Sequence, residues 1–260
     1  KPNDHHPNSI QIGNGEIVAS STGLTIVNDF RRADILAGGQ GAPLAPLFHK
    51  YFFGVSNKTR AVINIGGIAN ISIFGKELIG YDIGPGNILM DSWCREKQAR
   101  DFDERGKWAE KGSLNQKLLD KFMEEDFIHM KPPKSSGTDY FNIEWIYKKL
   151  KQVDEKINDI DIQRTLAEFT ATIIIDAIES SSDIDQVAIC GGGTKNNFLM
   201  KIVKEKYSSQ IVKTNCWGMN HEWVEAAGFA YLAYLRIDEA YQDLSSVTGS
   251  TRKVLLGKIN

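Results

Sequence analysis

An α/β fold is predicted by two patterns and supported by a third. In the last third of the chain, β-rich runs alternate with helical ones, the signature of parallel βαβ units. Around residue 70, three short β-branched runs are separated by tight glycine-containing turns, the signature of consecutive antiparallel strands. The chain has 260 residues and is 42% hydrophobic, enough to bury a sizeable core as one large domain or two lobes.

Charge and cysteine content exclude several classes of function. With a formal net charge of -2 and 25% charged residues, nothing marks a nucleic-acid footprint or a polybasic membrane anchor. Cys94, Cys190 and Cys216 lie far apart without a CxxC pair, arguing against a zinc site and a disulfide framework and fitting a reducing, cytoplasmic setting. The densest apolar run, Thr172 to Ile178, is interrupted by Asp176 and falls short of the roughly 18 residues of a membrane span. The polar start, KPNDHHPNS, has no signal-peptide core, and its opening on Lys1 suggests a chain missing its natural beginning.

Taken in order, a strand is expected at Ser9 to Ile12, a turn at Gly13 to Gly15 and a strand at Leu24 to Val27. The segment Asp29-Phe30-Arg31-Arg32-Ala33-Asp34 precedes a loop, Ala37 to Pro46, whose three glycines and two prolines preclude regular structure. These charges line a polar pocket or form a salt-bridged corner. An aromatic helix, Leu47 to Phe53, leads to the hairpin Ala61 to Ile65 and Asn70 to Phe74 around Gly66-Gly67, then to a third strand, Leu78 to Tyr81, ending on Asp82. Helices follow at Asn87 to Arg100 and, capped by Ser113, at Leu114 to Glu124. The loop His129 to Asn142 offers Lys134, Ser135, Ser136 and Gly137, as a site or as a plain connector. Two helices, Ile143 to Val153 and a long one from Asp161, precede the strand Gln186 to Cys190, the turn Gly191 to Gly193, a helix Asn196 to Tyr207, a strand Gln210 to Lys213 and a helix Glu222 to Glu239.

Asp82 is the leading catalytic candidate, because a carboxylate at a strand end beside Gly-Pro-Gly is rigidly held where a ligand can approach. The competing role is a cap on the following turn. Asp91 is the alternative base. Gly66-Gly67 and Gly191 to Gly193 are turns whose free N–H groups suit phosphate, the second aided by a helix N-terminus. His49, His129 and His221 show no metal-ligand spacing.

Three antiparallel strands followed by βαβα is the element order of the ribonuclease H-like half of the actin-like ATPase and sugar-kinase fold. Two lobes are expected: residues 1–60 as an incomplete first lobe on the sugar side, and 61–260 as the second, with a helical insertion at about 101–160. More specifically, NDFRRADILAGGQGAPL, NIGGIANIS, GYDIGPGNILMDSW, PKSSGTDYFN, CGGGTKN and EWVEAAGFAYLA resemble the 1,6-anhydro-N-acetylmuramic acid kinases, and the resemblance runs from Ser9 to Gly257.

That resemblance implies an enzyme using ATP, Mg²⁺ and water to open the anhydro ring of a cell-wall sugar and phosphorylate O6. Asp82 matches the family's general base and Glu225 a second acidic group that helps place the water, with Glu222 one turn away on the same expected helix. Gly66 and Gly67 match a phosphate turn; Gly191, Gly192, Gly193 and Asn196 match the adenosine-side turn. Asp29, Arg31, Arg32 and Gln40 are assigned to the sugar, since an arginine fork suits a lactyl carboxylate. Metal ligands are not assigned, and a homodimer is left open. The family's N-terminal Gly-Thr-Ser-x-Asp-Gly-type phosphate loop has no counterpart here, which leaves the activity of the isolated chain open. A non-catalytic sugar- or nucleotide-binding actin-like protein is the alternative.

Overall fold

A computed structural model describes residues 9–181, 183–207 and 211–260. The first element is α1 (Gly15–Thr22), followed by β1 (Val27–Asn28), α2 (Arg32–Leu36) and α3 (Ala45–Phe53). The hairpin β2 (Arg60–Ile65) and β3 (Ile68–Phe74) leads into β4 (Leu78–Pro85) and α4 (Ile88–Gln98). Helices α5 (Gln116–Met123), α6 (Asp126–His129), α7 (Ile143–Leu150) and α8 (Asp159–Glu179) come next. The chain then alternates β5 (Gln186–Cys190), α9 (Asn197–Lys206), β6 (Ile211–Lys213) and α10 (Val224–Ile237), and closes on β7 (Lys258–Ile259).

The main sheet has the order β4-β3-β2-β5-β6. β2, β3 and β4 are antiparallel neighbours, whereas β5 runs parallel to β2 and β6 parallel to β5. This is the ribonuclease H-like sheet of the actin-like ATPase and sugar-kinase fold. On β2 to β5 one face turns Ala61, Ile63, Ile65, Ile71, Tyr81, Ile83, Val187 and Ile189 into the larger core. Helix α8 lies against it through Leu166, Phe169, Ile173 and Ile174, because those residues recur at helical spacing. The opposite face carries α3 and α10, with Phe48, Phe53, Val62, Phe74, Cys190 and Val224 in one cluster. A further cluster joins Ala37 and Leu47 to Leu232, Leu244, Val247 and Leu256, so the two ends of the chain pack together, as the antiparallel pair β1 and β7 also shows.

Several boundaries differ from those expected. Ser9 to Ile12 forms no strand; Ile10 and Ile12 are exposed and pair with nothing described. The strand expected at Leu24 to Val27 is reduced to β1, where Val27 faces Ile259. β4 does not stop before Asp82 but continues through it to Pro85, because Asn70, Ala69 and Ile68 continue to pair with it across a bulge. Asn115, not Ser113, caps α5, its side chain accepting from Leu118 N at 2.9 Å; Ser113 N instead donates to Asp161. Gln210, placed at the start of the sixth strand, lies outside the described residues. No helix among them is long and apolar enough to cross a membrane.

The glycine-rich loop between α2 and α3 is irregular, as its composition requires, yet it is firmly tied. Asp34 is fully buried and accepts from Gly41 N at 2.8 Å and Thr248 Oγ1 at 2.6 Å. Gln40 N donates to Thr248 O at 3.0 Å.

Candidate active site

β2, β4 and β5 point the same way, and their C-terminal ends open onto a cleft of about 920 Å³. Side chains alternate across a strand, so the residues between the core-facing isoleucines face this cleft. Register aligns four of them in one row across four strands: Asp82 opposite Asn70, Asn70 opposite Asn64, and Asn64 opposite Cys190. All four line the cleft. Cys190 Sγ lies 3.8 Å from Asn64 Oδ1, and burial pushes its thiol up to about 12, with Glu225 adding to the rise, which keeps the sulfur protonated.

Asp82 is 6% exposed. Its Oδ2 accepts from the Ser136 backbone N–H at 2.9 Å, and its own N–H donates to Lys134 O at 3.1 Å. Burial raises its carboxyl to about 6, against the pull of the Ser136 N–H and the charges of Arg31 and Lys134. A carboxylate poised there is half-way to accepting a proton near neutral pH. Lys134 is itself buried, donating from Nζ to Phe127 O at 3.0 Å and Ile128 O at 2.9 Å, and desolvation lowers it to about 8. The loop that carries both residues is latched by Gln40, whose Nε2 donates to Pro133 O at 3.0 Å and whose Oε1 accepts from Ser135 Oγ at 2.6 Å.

The wall formed after β5 is backbone. Gly191 has φ +86, and a Cβ there would collide with Asn64 Oδ1 and lie 2.7 Å from Ile65 O, so only glycine fits. A Cβ on Gly192 would meet nothing within 4 Å, leaving its backbone open to a ligand. Lys195 pairs with Glu222 at 2.6 Å, and Glu225 stands exposed in the first turn of α10. Asp29, Phe30 and Arg31 also line the cleft, with Phe30 packed on Phe229 of α10 at 5.8 Å and Asp29 N bonded to Gln11 Oε1 at 3.0 Å.

The profile of one family, described as anhydro-N-acetylmuramic acid kinase, matches residues 1–260. The chain belongs to the anhydro-N-acetylmuramic acid kinase family. A relative of that name from Pasteurella multocida is 42% identical over 263 residues, covering 99% of this chain and 70% of its own length. Another, from Haemophilus influenzae, is 40% identical over 272 residues, covering 99% and 71%. Among solved structures, the activator of the 2-hydroxyisocaproyl-CoA dehydratase from Clostridium difficile with bound ADPNP gives a TM-score of 0.45 at 15% identity, covering 75% of this chain and 66% of that one. At that distance the likeness adds nothing to the strand order itself.

Of the residues expected at the site, whether from the family's motifs or from the chemistry of the sugar, the cleft gathers Asp82, Glu225, Gly191, Gly192, Asp29 and Arg31. The others lie elsewhere. Gly66 and Gly67 offer their carbonyls to Asn87 N and to Gly86 and Ile88 N, which fastens the hairpin tip to the start of α4. Gly193 is buried, its Cβ position filled by Ile65. Asn196 caps α9, accepting from Leu199 N at 3.0 Å. Arg32 is exposed at the first residue of α2, and Gln40 serves the latch. Glu222 precedes α10 instead of sharing a helix with Glu225. Asp91 is half-buried in α4, away from the cleft, its carboxyl raised to about 6 by burial against the charge of Arg95.

The cleft also contains residues that reading the sequence passed over: Asn64, Asn70 and Lys195. Two asparagines inside otherwise apolar strands were the available signal. His49 lines the cleft floor but is spent on Ser72 Oγ, 2.8 Å from its Nδ1, and burial lowers it to about 3.

Proposed function

We propose that this chain carries the sugar-opening and phosphoryl-transfer site of a kinase that converts 1,6-anhydro-N-acetylmuramic acid, ATP and water to N-acetylmuramic acid 6-phosphate and ADP in cytoplasmic cell-wall recycling. The observation that carries the proposal is Asp82: a buried carboxylate, held by the Ser136 N–H and raised to about 6, at the mouth of the parallel strands. Family membership supports the substrate class.

In this scheme Asp82 takes a proton from water as its oxygen attacks the anomeric carbon, and a base so positioned contributes about 10² to 10⁴ in rate. The C1–O6 bond breaks, and O6 receives the γ-phosphoryl of ATP in line, a step governed mainly by positioning. The open backbone at Gly192 and the adjoining Gly191 turn suit phosphate oxygens. Arg31, which lines the cleft and whose charge acts on Asp82, suits the lactyl carboxylate as a two-pronged donor. Among the described residues no group of three or more His, Cys, Asp or Glu converges on a metal position. Mg²⁺ would be carried on the nucleotide phosphates, where it would neutralise charge, and the carboxylates that line the cleft are Asp29, Asp82, Glu222 and Glu225.

The test is ATP-dependent phosphorylation of 1,6-anhydro-N-acetylmuramic acid by the full-length protein, beside Asp82→Asn. Turnover should fall by at least about 10²-fold while nucleotide affinity stays within about twofold. Near-normal turnover in the variant would remove Asp82 from the mechanism.

A further inference from the structure

The loop that holds Asp82 has little of its own to hold it. No backbone hydrogen bond joins residues 131–136 to one another, and Pro132 and Pro133 have no N–H to give. Its attachments come from outside. Lys134 Nζ is bonded to Phe127 O and Ile128 O, while Asp82 takes up the Ser136 N–H and gives its own N–H to Lys134 O. Gln40 adds a third attachment, using both ends of its amide: Nε2 donates to Pro133 O at 3.0 Å and Oε1 accepts from Ser135 Oγ at 2.6 Å. Pro133 O can only accept, while the Ser135 hydroxyl donates, so a side chain that serves both must carry one donor and one acceptor, as an amide does.

Gln40 is itself on a rigid mount. Its N–H donates to Thr248 O at 3.0 Å, and the glycines on either side are wrapped around the fully buried Asp34. Gly41 N donates to Asp34 Oδ2 at 2.8 Å, Gly39 N to Asp34 O at 2.9 Å, and Thr248 Oγ1 to Asp34 Oδ1 at 2.6 Å. A Cβ on Gly39 would strike the Asp34 carboxyl. Asp34 lies in α2, three residues after Arg31, which lines the cleft; Gln40 does not line it.

We propose that Gln40 is a positioning residue for the base: by gripping Pro133 and Ser135 it sets where the Ser136 N–H meets Asp82, and it fixes that carboxylate relative to the segment that carries Arg31. Without the grip, the loop is tied by Lys134 and by Asp82 itself, so the carboxylate would be aimed by a loop that it must hold in turn. A misplacement of about 1 Å costs on the order of 10²-fold in rate. The Ser136 N–H also favours the charged carboxylate, so a weaker contact raises the pH at which Asp82 gives up its proton. The charges that act on Asp82 are those of Arg31, on the segment after β1, and Lys134; Asp29, Glu222 and Glu225 also line the cleft, and His49 of α3 stays neutral. A neutral replacement at Gln40 alters none of these charges.

This rests on the proposed role of Asp82 as base, and the experiment separates the two. In the full-length protein, Gln40→Met keeps the size and removes both bonds; Ser135→Ala removes one. Gln40→Met should lose about 10- to 10²-fold in kcat with both KM values within about threefold, and the acidic limb of its pH profile should move up by about half a unit or more. Ser135→Ala should lose less, and the double variant should stay within about twofold of Gln40→Met, since both act through one contact. A raised KM for the sugar at unchanged kcat would make Gln40 a substrate contact and overturn the inference. So would a limb that stays in place, because a variant that is merely less stable loses active enzyme without moving it. A ¹³C titration of the Asp82 carboxyl gives a readout independent of turnover: the same upward shift is expected in Gln40→Met, and an unshifted carboxyl sinks the idea. Near-normal turnover by Asp82→Asn with that shift present would instead remove the base and leave the positioning contact standing.

Discussion

The backbone N–H of Ser136 donates to Asp82 Oδ2 at 2.9 Å, so a carboxylate within β4 is held by a loop 54 residues further along the chain. That loop is in turn anchored by the buried Lys134 ammonium on Phe127 O and Ile128 O. The charge of Lys134 also lowers the Asp82 carboxyl, which burial has raised to about 6. Turnover as kcat/KM should therefore fall below a limb near pH 6, as Asp82 becomes protonated. In Lys134→Met the limb should move to higher pH, and two buried carbonyls left unpaired should cost roughly 1–3 kcal/mol of stability. A pH–rate profile with an unmoved limb would show that Lys134 does not act on Asp82.

Asp82 should also reduce stability at neutral pH. Its carboxyl sits at about 6 in the fold against an ordinary 3.8, so the folded state holds the proton more tightly than the unfolded chain. Below pH 3.8 both states are protonated and the penalty is absent; it grows as pH rises and is complete above pH 6. Asp82→Asn should thus gain up to about 3 kcal/mol at pH 8 and almost nothing near pH 3.5. Urea melts of the two proteins at the two pH values decide it, and an equal difference at both would contradict the linkage.

His49 acts in the opposite sense. Burial lowers it to about 3 from an ordinary 6.5, so it stays neutral in the fold while the unfolded chain takes up a proton below pH 6.5. Its contribution to stability is complete above that value and is lost as pH falls toward 3. About 2 kcal/mol should disappear between pH 7 and pH 5, and His49→Gln should flatten the pH dependence over that range, whatever it does to stability at pH 7. An unchanged slope in the variant would place the acid sensitivity elsewhere.

Gly191→Ala combines a positive φ with a Cβ driven into Asn64 Oδ1 and Ile65 O. A loss of about 1–3 kcal/mol in stability is expected. The cleft wall at Gly192 should shift with it, weakening nucleotide binding by about tenfold or more. Calorimetric titration with ATP checks this, and parent-like affinity in a folded variant would detach the turn from the nucleotide.

Much of this fold was legible because its determinants are local. β-branched runs separated by glycine turns mark β2 and β3, and apolar residues at helical spacing mark α8. The neighbourhood of Asp82 and the turn at Gly191 could be read for the same reason, since glycines adjoining a strand end leave a short-range trace. Asn196 carried a local trace as well, an asparagine directly before a helix, and its cap on α9 follows from that rule.

What the chain alone determined was the order of its elements, the glycines its turns require, and a carboxylate placed among them. Which side chains share a wall was fixed only by the assembled sheet. Strand register joins Asp82, Asn70, Asn64 and Cys190 from four strands into one row, and Gln40 meets Ser135 across 95 residues. Burial, too, is a property of the whole fold: Asp82 is desolvated only once the chain has packed around it, and that desolvation turns an ordinary carboxylate into one able to exchange a proton near neutral pH. Spacing along a chain carries no record of contacts made by elements so far apart, because those contacts exist only once the sheet has closed and the loops have packed over it.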